Sequence, residues 1–239
     1  PERISDTIIS KSVTTTFIQR LPQAKKRYQM YLPFMPIALE QLDLRGYDLV
    51  ISSESGPAKG VITDPDSLHI CYCHSPMRYV WDMYHDYLSG VGVLKSILMR
   101  PLLHYLRMWD VTSASRVDIF LANSTFVSAR IRKFYRRDAI VVPPPVKVSD
   151  YRTSPKVSDY YLMVGQLVDY KKVDLAIQAF NKMGKKLVII GAGDQMSYLK
   201  DIAEENIELL GYQDFEVIRE TYSECRALIF PGIEDFGMV

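Results

Sequence analysis

YYLMVGQLVDYKKVDLAIQAFNKMGKKLVII, residues 160–190, reads as strand, loop, helix, strand. Tyr160 to Val164 is a short apolar run that stops at Gly165. Val173, Ala176, Ile177 and Phe180 then recur at helical spacing, and Gly184 supplies the residue that ends such a helix in the left-handed region. Leu187 to Ile190 is apolar again. Short apolar runs separated by an amphipathic helix are the pattern of an α/β domain with a mainly parallel sheet.

The same alternation continues on both sides. Downstream, Gly191-Ala192-Gly193-Asp194 turns into a helix carrying Met196, Leu199 and Ile202, followed by a strand Ile207 to Leu210. Asp214 is placed to cap a helix through Tyr222, and Ala227 to Phe230 is the next strand. Upstream, Pro143-Pro144-Pro145 and the polar stretch Lys147 to Ser158 read as a connection between domains. Before it, strands are predicted at Asp48 to Ser52, His69 to Cys73, Asp118 to Ala122 and Ala139 to Val142, and helices at Pro33 to Leu44, Leu94 to Arg116 and Thr125 to Tyr135. Leu94, Ile97, Leu98, Leu102, Tyr105, Leu106 and Trp109 form one helical stripe, read as a core face in preference to a membrane-lying one, with a kink at Pro101. Pro1 to Met30, rich in Ser, Thr, Lys and Arg, reads as a connection. The expected organisation is therefore a first α/β domain over 1–146, a linker over 147–158 and a second α/β domain over 159–239, with a ligand cleft between them.

Bulk properties narrow the function. With 29 basic and 28 acidic residues the formal charge is +1, which excludes the broad basic surface expected of a nucleic-acid partner. Cys71, Cys73 and Cys225 contain no Cys-x-x-Cys pair and read as reduced thiols of a cytoplasmic protein, not as a disulfide or zinc framework. No run of about 18 apolar residues marks a membrane span. The chain opens on Pro1 and is expected to lack a front segment.

Four groups of residues could carry chemistry. Gly165 to Lys172 joins a strand to a helix, so Lys171, Lys172 and free backbone N–H groups converge near a helix start, an arrangement suited to a diphosphate. Gly191-Ala192-Gly193 lacks the third glycine of a dinucleotide fingerprint, Met196 standing in its place, which argues against NAD. Tyr72 to Tyr79 puts His74 and Arg78 on a loop stiffened by Pro76, just past a strand. Glu234 and Asp235 lie beyond a strand end, where a carboxylate accepts hydrogen bonds from sugar hydroxyls and the N–H groups of Phe236, Gly237 and Met238 offer donors to anionic oxygens. Arg130, Lys133 and Arg137 share a helix face beside Arg132 and Arg136. It is read as a solvated face, with attraction to anionic phospholipid as the sharper alternative.

From Tyr47 onward these segments resemble retaining glycosyltransferases of family 4, which have the two-domain GT-B fold, and in particular bacterial mannosyltransferases of surface-polysaccharide assembly. The likeness rests on Tyr47-Asp48-Leu49-Val50-Ile51-Ser52, on Cys71 to Trp81 with His74-Ser75-Pro76 and Arg78, and on Ala122-Asn123-Ser124. Val142-Pro143-Pro144-Pro145, Val164 to Phe180 and Glu234-Asp235-Phe236-Gly237 complete it. The resemblance implies two Rossmann-like domains with mainly parallel sheets, both incomplete in this chain.

It also implies a function. A hexose, with mannose from GDP-mannose indicated, is transferred to a lipid-linked or polysaccharide acceptor with retention of configuration and without a metal or other cofactor. By the same likeness Lys171 holds the donor diphosphate beside Gln166, which stands where the family has an Arg. Glu234 and His74 orient the sugar, and Phe236, Gly237 and Met238 complete the donor site. The family's second Glu falls beyond Val239, so this chain by itself is expected to be nearly inactive. A cytoplasmic location with peripheral contact to the inner membrane surface follows from such acceptors. Two rivals stand beside this reading: a sugar-nucleotide epimerase of the same fold, and a non-catalytic sugar-nucleotide or protein-binding module.

Overall fold

In the computed structural model, which describes residues 10–239, strand and helix alternate from Leu49 onward, and the chain divides between Pro143 and Pro144 into two units. The first unit is built on four parallel strands, Leu49–Glu54 (β1), Leu68–Cys73 (β2), Ile119–Ala122 (β3) and Ala139–Val141 (β4), lying side by side in chain order. The register places Ser52 beside Cys71 and Cys71 beside Phe120. Successive side chains point to opposite faces. One face therefore gathers Cys71, Cys73, Phe120 and Ala122, which pack with Val127, Ile131 and Tyr135 into a buried core. The other face leaves Leu49, Ile51, Leu68 and Ile140 exposed.

Helices Met35–Glu40 (α1), Tyr84–Ser89 (α2), Val93–Ala114 (α3) and Thr125–Tyr135 (α4) complete the unit. Ser124 caps α4 by accepting a hydrogen bond from the Val127 N–H. The predicted helix over Pro33 to Leu44 shrinks to α1, because Pro33 lies inside a 3-10 turn over Tyr28–Phe34. Residues 1–9 of the expected opening connection lie outside the described part. Its later residues are not a plain connection, since Phe17–Arg20 and Ala24–Arg27 are helical turns that bury Ile18 and Ala24 against Ala38. Turns this short carry no apolar period for a sequence reading to detect.

α3 runs through Pro101 without interruption and buries Leu103, Leu106, Trp109 and Asp110. The expected core stripe is thus corrected: Leu106 and Trp109 belong to the core, whereas Leu94, Ile97, Leu98 and Tyr105 face outward. The buried side is turned toward polar residues. Lys59, fully buried, reaches Asp110 and lies 3.3 Å from Glu54, while the Trp81 Nε1–H and the Tyr135 hydroxyl donate to Asp110 at 2.8 and 2.9 Å. Buried charges are tolerable when paired and hydrogen-bonded in this way.

The second unit has three parallel strands in chain order, Tyr161–Val164 (β5), Leu187–Ile190 (β6) and Ile207–Gly211 (β7), with helices Val173–Met183 (α5), Met196–Ile202 (α6) and Phe215–Glu224 (α7). α5 closes at Gly184, whose φ of +62° suits the left-handed cap. Its buried stripe of Val173, Ala176, Ile177 and Phe180 packs with Leu187, Ile189 and Leu199. Asp214 occupies the N-cap of α7 with an extended backbone, though its side chain makes no capping hydrogen bond. The expected strand Ala227 to Phe230 is reduced to a single parallel bridge between Leu228 and Leu162. Two hydrogen bonds hold it, Leu162 N–H to Ala227 O at 3.0 Å and Ile229 N–H to Leu162 O at 2.7 Å. Pro231 has no N–H with which to extend the ladder.

Candidate functional site

β6 and β7 lie on one side of β5, and the chain then crosses back to bridge β5 on its other side at Leu228. The direction of strand addition therefore reverses at β5. In open α/β sheets such a reversal opens a crevice beyond the carboxyl ends of the strands, where ligands bind. Two loops lead from it, one from Gly165 to Lys172 and one from Pro231 to Met238. They meet backbone to backbone: a Cβ added at Gly232 would lie 3.1 Å from Lys171 Cα and 3.2 Å from the Tyr170 carbonyl oxygen.

Lys171 and Glu234, predicted from separate segments, form an ion pair where these loops meet. Lys171 Nζ also lies 5.5 Å from the Tyr170 ring centre and 5.6 Å from that of Phe230, so aromatic faces support the ammonium group. Lys171 ends a 3-10 turn, Lys172 takes φ +54° in the left-handed region, and α5 begins at Val173. Lys171 thus stands just before the positive end of an eleven-residue helix. Gln166 is exposed on the same loop, and Phe236, Gly237 and Met238 are exposed on the other, Gly237 with φ +82°.

Gly191 and Gly193 brace this arrangement. A Cβ at Gly191 would lie 1.8 Å from the Gly165 carbonyl oxygen, and one at Gly193 would lie 2.2 Å from that of Leu167. The close approach that these glycines permit is to the Gly165–Leu167 loop. The Leu167 N–H donates to Ala192 O at 3.0 Å and ties the two segments together. Their glycine-x-glycine spacing was the available signal. Phe230, which sequence reasoning had only as a strand residue, gave none.

His74 belongs to the first unit, where it is exposed just beyond β2. Its N–H donates to Glu54 O at 2.7 Å, its carbonyl accepts from Asn123 Nδ2 at 3.1 Å, and its Nε2 lies 2.9 Å from Ser53 Oγ. Tyr72 meets the imidazole edge-on at 5.0 Å. Ser53 and Asn123 are additional supports of this loop. Ser53 follows β1's alternation, and Asn123 stands in the Ala122-Asn123-Ser124 segment. Arg78 is half-buried, 3.7 Å from Asp82.

The basic face of α4 needs correction. Arg130 is buried, donating to Ser75 Oγ at 2.7 Å and pairing with Asp82. Arg137 donates to the carbonyls of Ala114, Val117 and Asp118 at 3.1, 2.7 and 3.0 Å. These two guanidinium groups hold the first unit together, which leaves Arg132, Lys133 and Arg136 exposed on this helix. Cys71 and Cys73 are buried free thiols and Cys225 is half-buried. The hydrogen bond with Cys71, together with burial, raises the Cys73 thiol well above its ordinary range.

The geometry of both units defines an α/β protein with two parallel sheets, the arrangement of GT-B glycosyltransferases. Residues 150–239, all within the second unit, match the family described as glycosyl transferases group 1. An uncharacterized glycosyltransferase of Methanocaldococcus jannaschii, MJ1607, is 29% identical over 103 residues, covering 38% of this chain and 26% of that protein. Among solved structures, sucrose-phosphate synthase from Thermosynechococcus elongatus superposes with a TM-score of 0.64 at 15% identity, over 91% of this chain and 58% of its own. TarM of S. aureus superposes with 0.59 at 13% identity, over 87% of this chain and 41% of its own. The chain thus spans about a quarter of the curated relative it matches (26%). At these identities the structural likeness speaks for the fold. No helix among the described residues is long and apolar enough to cross a membrane.

Proposed function

We propose that this chain carries the donor site of a glycosyltransferase that takes a hexose from a nucleoside-diphosphate sugar. The observation that supports this best is the Lys171–Glu234 ion pair at the strand-order reversal, inside the segment that matches glycosyl transferases group 1. A nucleotide sugar presents two chemistries side by side, an anionic diphosphate and a ring of hydroxyl groups. A cation and a carboxylate in contact answer both, one on either side of the anomeric bond. Before the donor arrives they satisfy each other; on its arrival Lys171 turns to the diphosphate and Glu234 to sugar hydroxyls.

Bond breaking places a third negative charge on the departing diphosphate and positive character on the sugar ring. Lys171, the N-terminus of α5 and the N–H groups of Phe236, Gly237 and Met238 are fixed donors for the first. Gln166 adds an uncharged amide donor. Glu234 answers the developing positive charge, and a sugar-orienting role for His74 follows from the resemblance. The departing phosphate accepts the proton of the acceptor hydroxyl, so configuration is retained. Mannose as the sugar, GDP as the nucleotide and a lipid-linked or polysaccharide acceptor follow from the resemblance.

Calorimetry on this chain with GDP and UDP tests the donor site, and transfer of radiolabelled mannose by the whole gene product tests the reaction. Lys171→Ala is expected to lower kcat/KM by the equivalent of about 2–4 kcal/mol. Wild-type turnover in that variant would remove Lys171 from the mechanism. Formation of an epimer from donor alone would make the protein an epimerase.

A further inference from the structure

The first unit carries an apolar surface that its own core does not use. Val93, Leu94, Ile97 and Leu98, in the first turns of α3, are 79%, 74%, 56% and 68% exposed. Tyr105 and Met108 continue the strip at 43% and 57%. At about 100° per residue these side chains fall on the arc opposite Leu103, Leu106 and Asp110, which face the core. A helix that packs on one side normally turns polar residues to water on the other. Here the outward side is apolar over four turns save for His104.

The charge around the strip is one-sided. From Val93 to Trp109 the sequence contains Lys95, Arg100 and Arg107, together with His104, and no Asp or Glu. Lys95, Arg100 and His104 are exposed, while Arg107 is half-buried and donates to Val80 O at 2.8 Å. Asp110, the helix's acid, is buried on Lys59 and the Tyr135 hydroxyl. The adjoining α2 contributes one exposed acid, Asp86. The exposed face of the β1–β4 sheet is also apolar, yet its strands contain no Lys or Arg. The α3 strip combines apolar side chains with flanking cations, the combination that suits the headgroup boundary of an anionic leaflet.

We infer that the outer face of α3, from Val93 to Met108, docks the protein on an anionic phospholipid surface. Leu94, Ile97 and Leu98 enter the acyl boundary, and Lys95 and Arg100 remain at the level of the phosphates. This inference concerns the first unit and stands apart from the donor-site reading, so the failure of either leaves the other intact.

The test is co-sedimentation of the protein with phosphatidylcholine vesicles, with and without about one quarter phosphatidylglycerol. Binding is expected on the anionic vesicles and is expected to weaken as salt rises. Leu94→Ser, Ile97→Ser and Leu98→Ser combined are expected to reduce it about tenfold or more. Lys95→Gln with Arg100→Gln is expected to reduce it severalfold and to abolish the preference for phosphatidylglycerol. Because these side chains are exposed, the variants should keep the wild-type circular dichroism and melting profile. As an independent reading, Ile97→Trp should show fluorescence quenched by brominated lipid. Failure of the wild type to bind, or undiminished binding by the triple variant, overturns the inference. So does self-association, measured by light scattering, that the triple variant abolishes, since a second copy would then be the occupant.

Discussion

Glu234→Gln is expected to tighten the binding of a free nucleoside diphosphate while impairing the complete donor. In the unliganded protein the Glu234 carboxylate holds the Lys171 ammonium group, so a diphosphate must displace it. The two side chains are 24% and 14% exposed, which sets the magnitude. A fully exposed pair contributes about 0–1 kcal/mol, and breaking a fully buried one costs about 3–5 kcal/mol. A pair with this intermediate exposure corresponds to about 1–2 kcal/mol, or a fall in Kd of roughly five- to thirtyfold. Removal of the carboxylate's repulsion for the phosphate acts in the same direction. With the sugar attached the sign changes, because the hydroxyl groups lose a charged acceptor worth about 1.5–3 kcal/mol each.

Isothermal titration with GDP and UDP at low salt measures the first effect, with Lys171→Met as the opposing control. In the Lys171→Met background, Glu234→Gln should change Kd much less, because the pair it releases no longer exists. An unchanged or higher Kd for nucleoside diphosphate in Glu234→Gln alone would show that Lys171 does not meet the diphosphate, and the donor-site argument would fall with it.

Three further outcomes follow from the geometry. Gly191→Ala drives a methyl group into the Gly165 carbonyl, a backbone atom that cannot swing aside, and is expected to cost about 1–3 kcal/mol in urea unfolding and to abolish nucleotide binding. Burial raises the Glu54 carboxyl above its ordinary range in spite of Lys59, so the unfolded chain ionises first as pH rises and folding stability falls until the folded carboxyl ionises too. Glu54→Gln removes this group, and its urea midpoint should therefore drop less than that of the wild type as pH rises above the ordinary carboxylate range; parallel slopes would refute the assignment. Arg136 ends α4 with φ +56°, and Arg136→Gly is expected to raise stability by about 0.5–1 kcal/mol in thermal melts.

The parts legible in the sequence are those where burial and period coincide. β6 and α4 run as predicted, because Leu187–Ile190 is apolar throughout and Ser124 announces the start of α4. α3 shows the opposite case. Its core side holds Ser96, Asp110 and Ser113 among the apolar residues, Asp110 paired with Lys59 and the Ser113 hydroxyl donating to the Asp110 carbonyl, while further apolar residues face out. A search for hydrophobic period is drawn partly to the outer side of such a helix, since it takes every buried position to be apolar. The basic face of α4 misleads for a related reason: Arg130 and Arg137 look like solvated cations until Asp82 and the carbonyls at the end of α3 are brought to them by the fold.

The candidate site was legible by composition and illegible by contact. Lys171 and Glu234 each stood out beside a strand end, but they lie 63 positions apart and nothing local says that they touch. Their meeting follows from topology. With β6 and β7 laid on one side of β5, its other edge stays free, and Leu228 takes that place. The loop that follows must then run beside the loop leaving β5. Gly232 allows the two backbones to close, and the carboxylate two residues later arrives at the ammonium group. A reversal of strand order thus turns two separate signals into one charged pair. Gly191 and Gly193 serve the same closure from the other side, by letting the β6 loop press against Gly165 and Leu167.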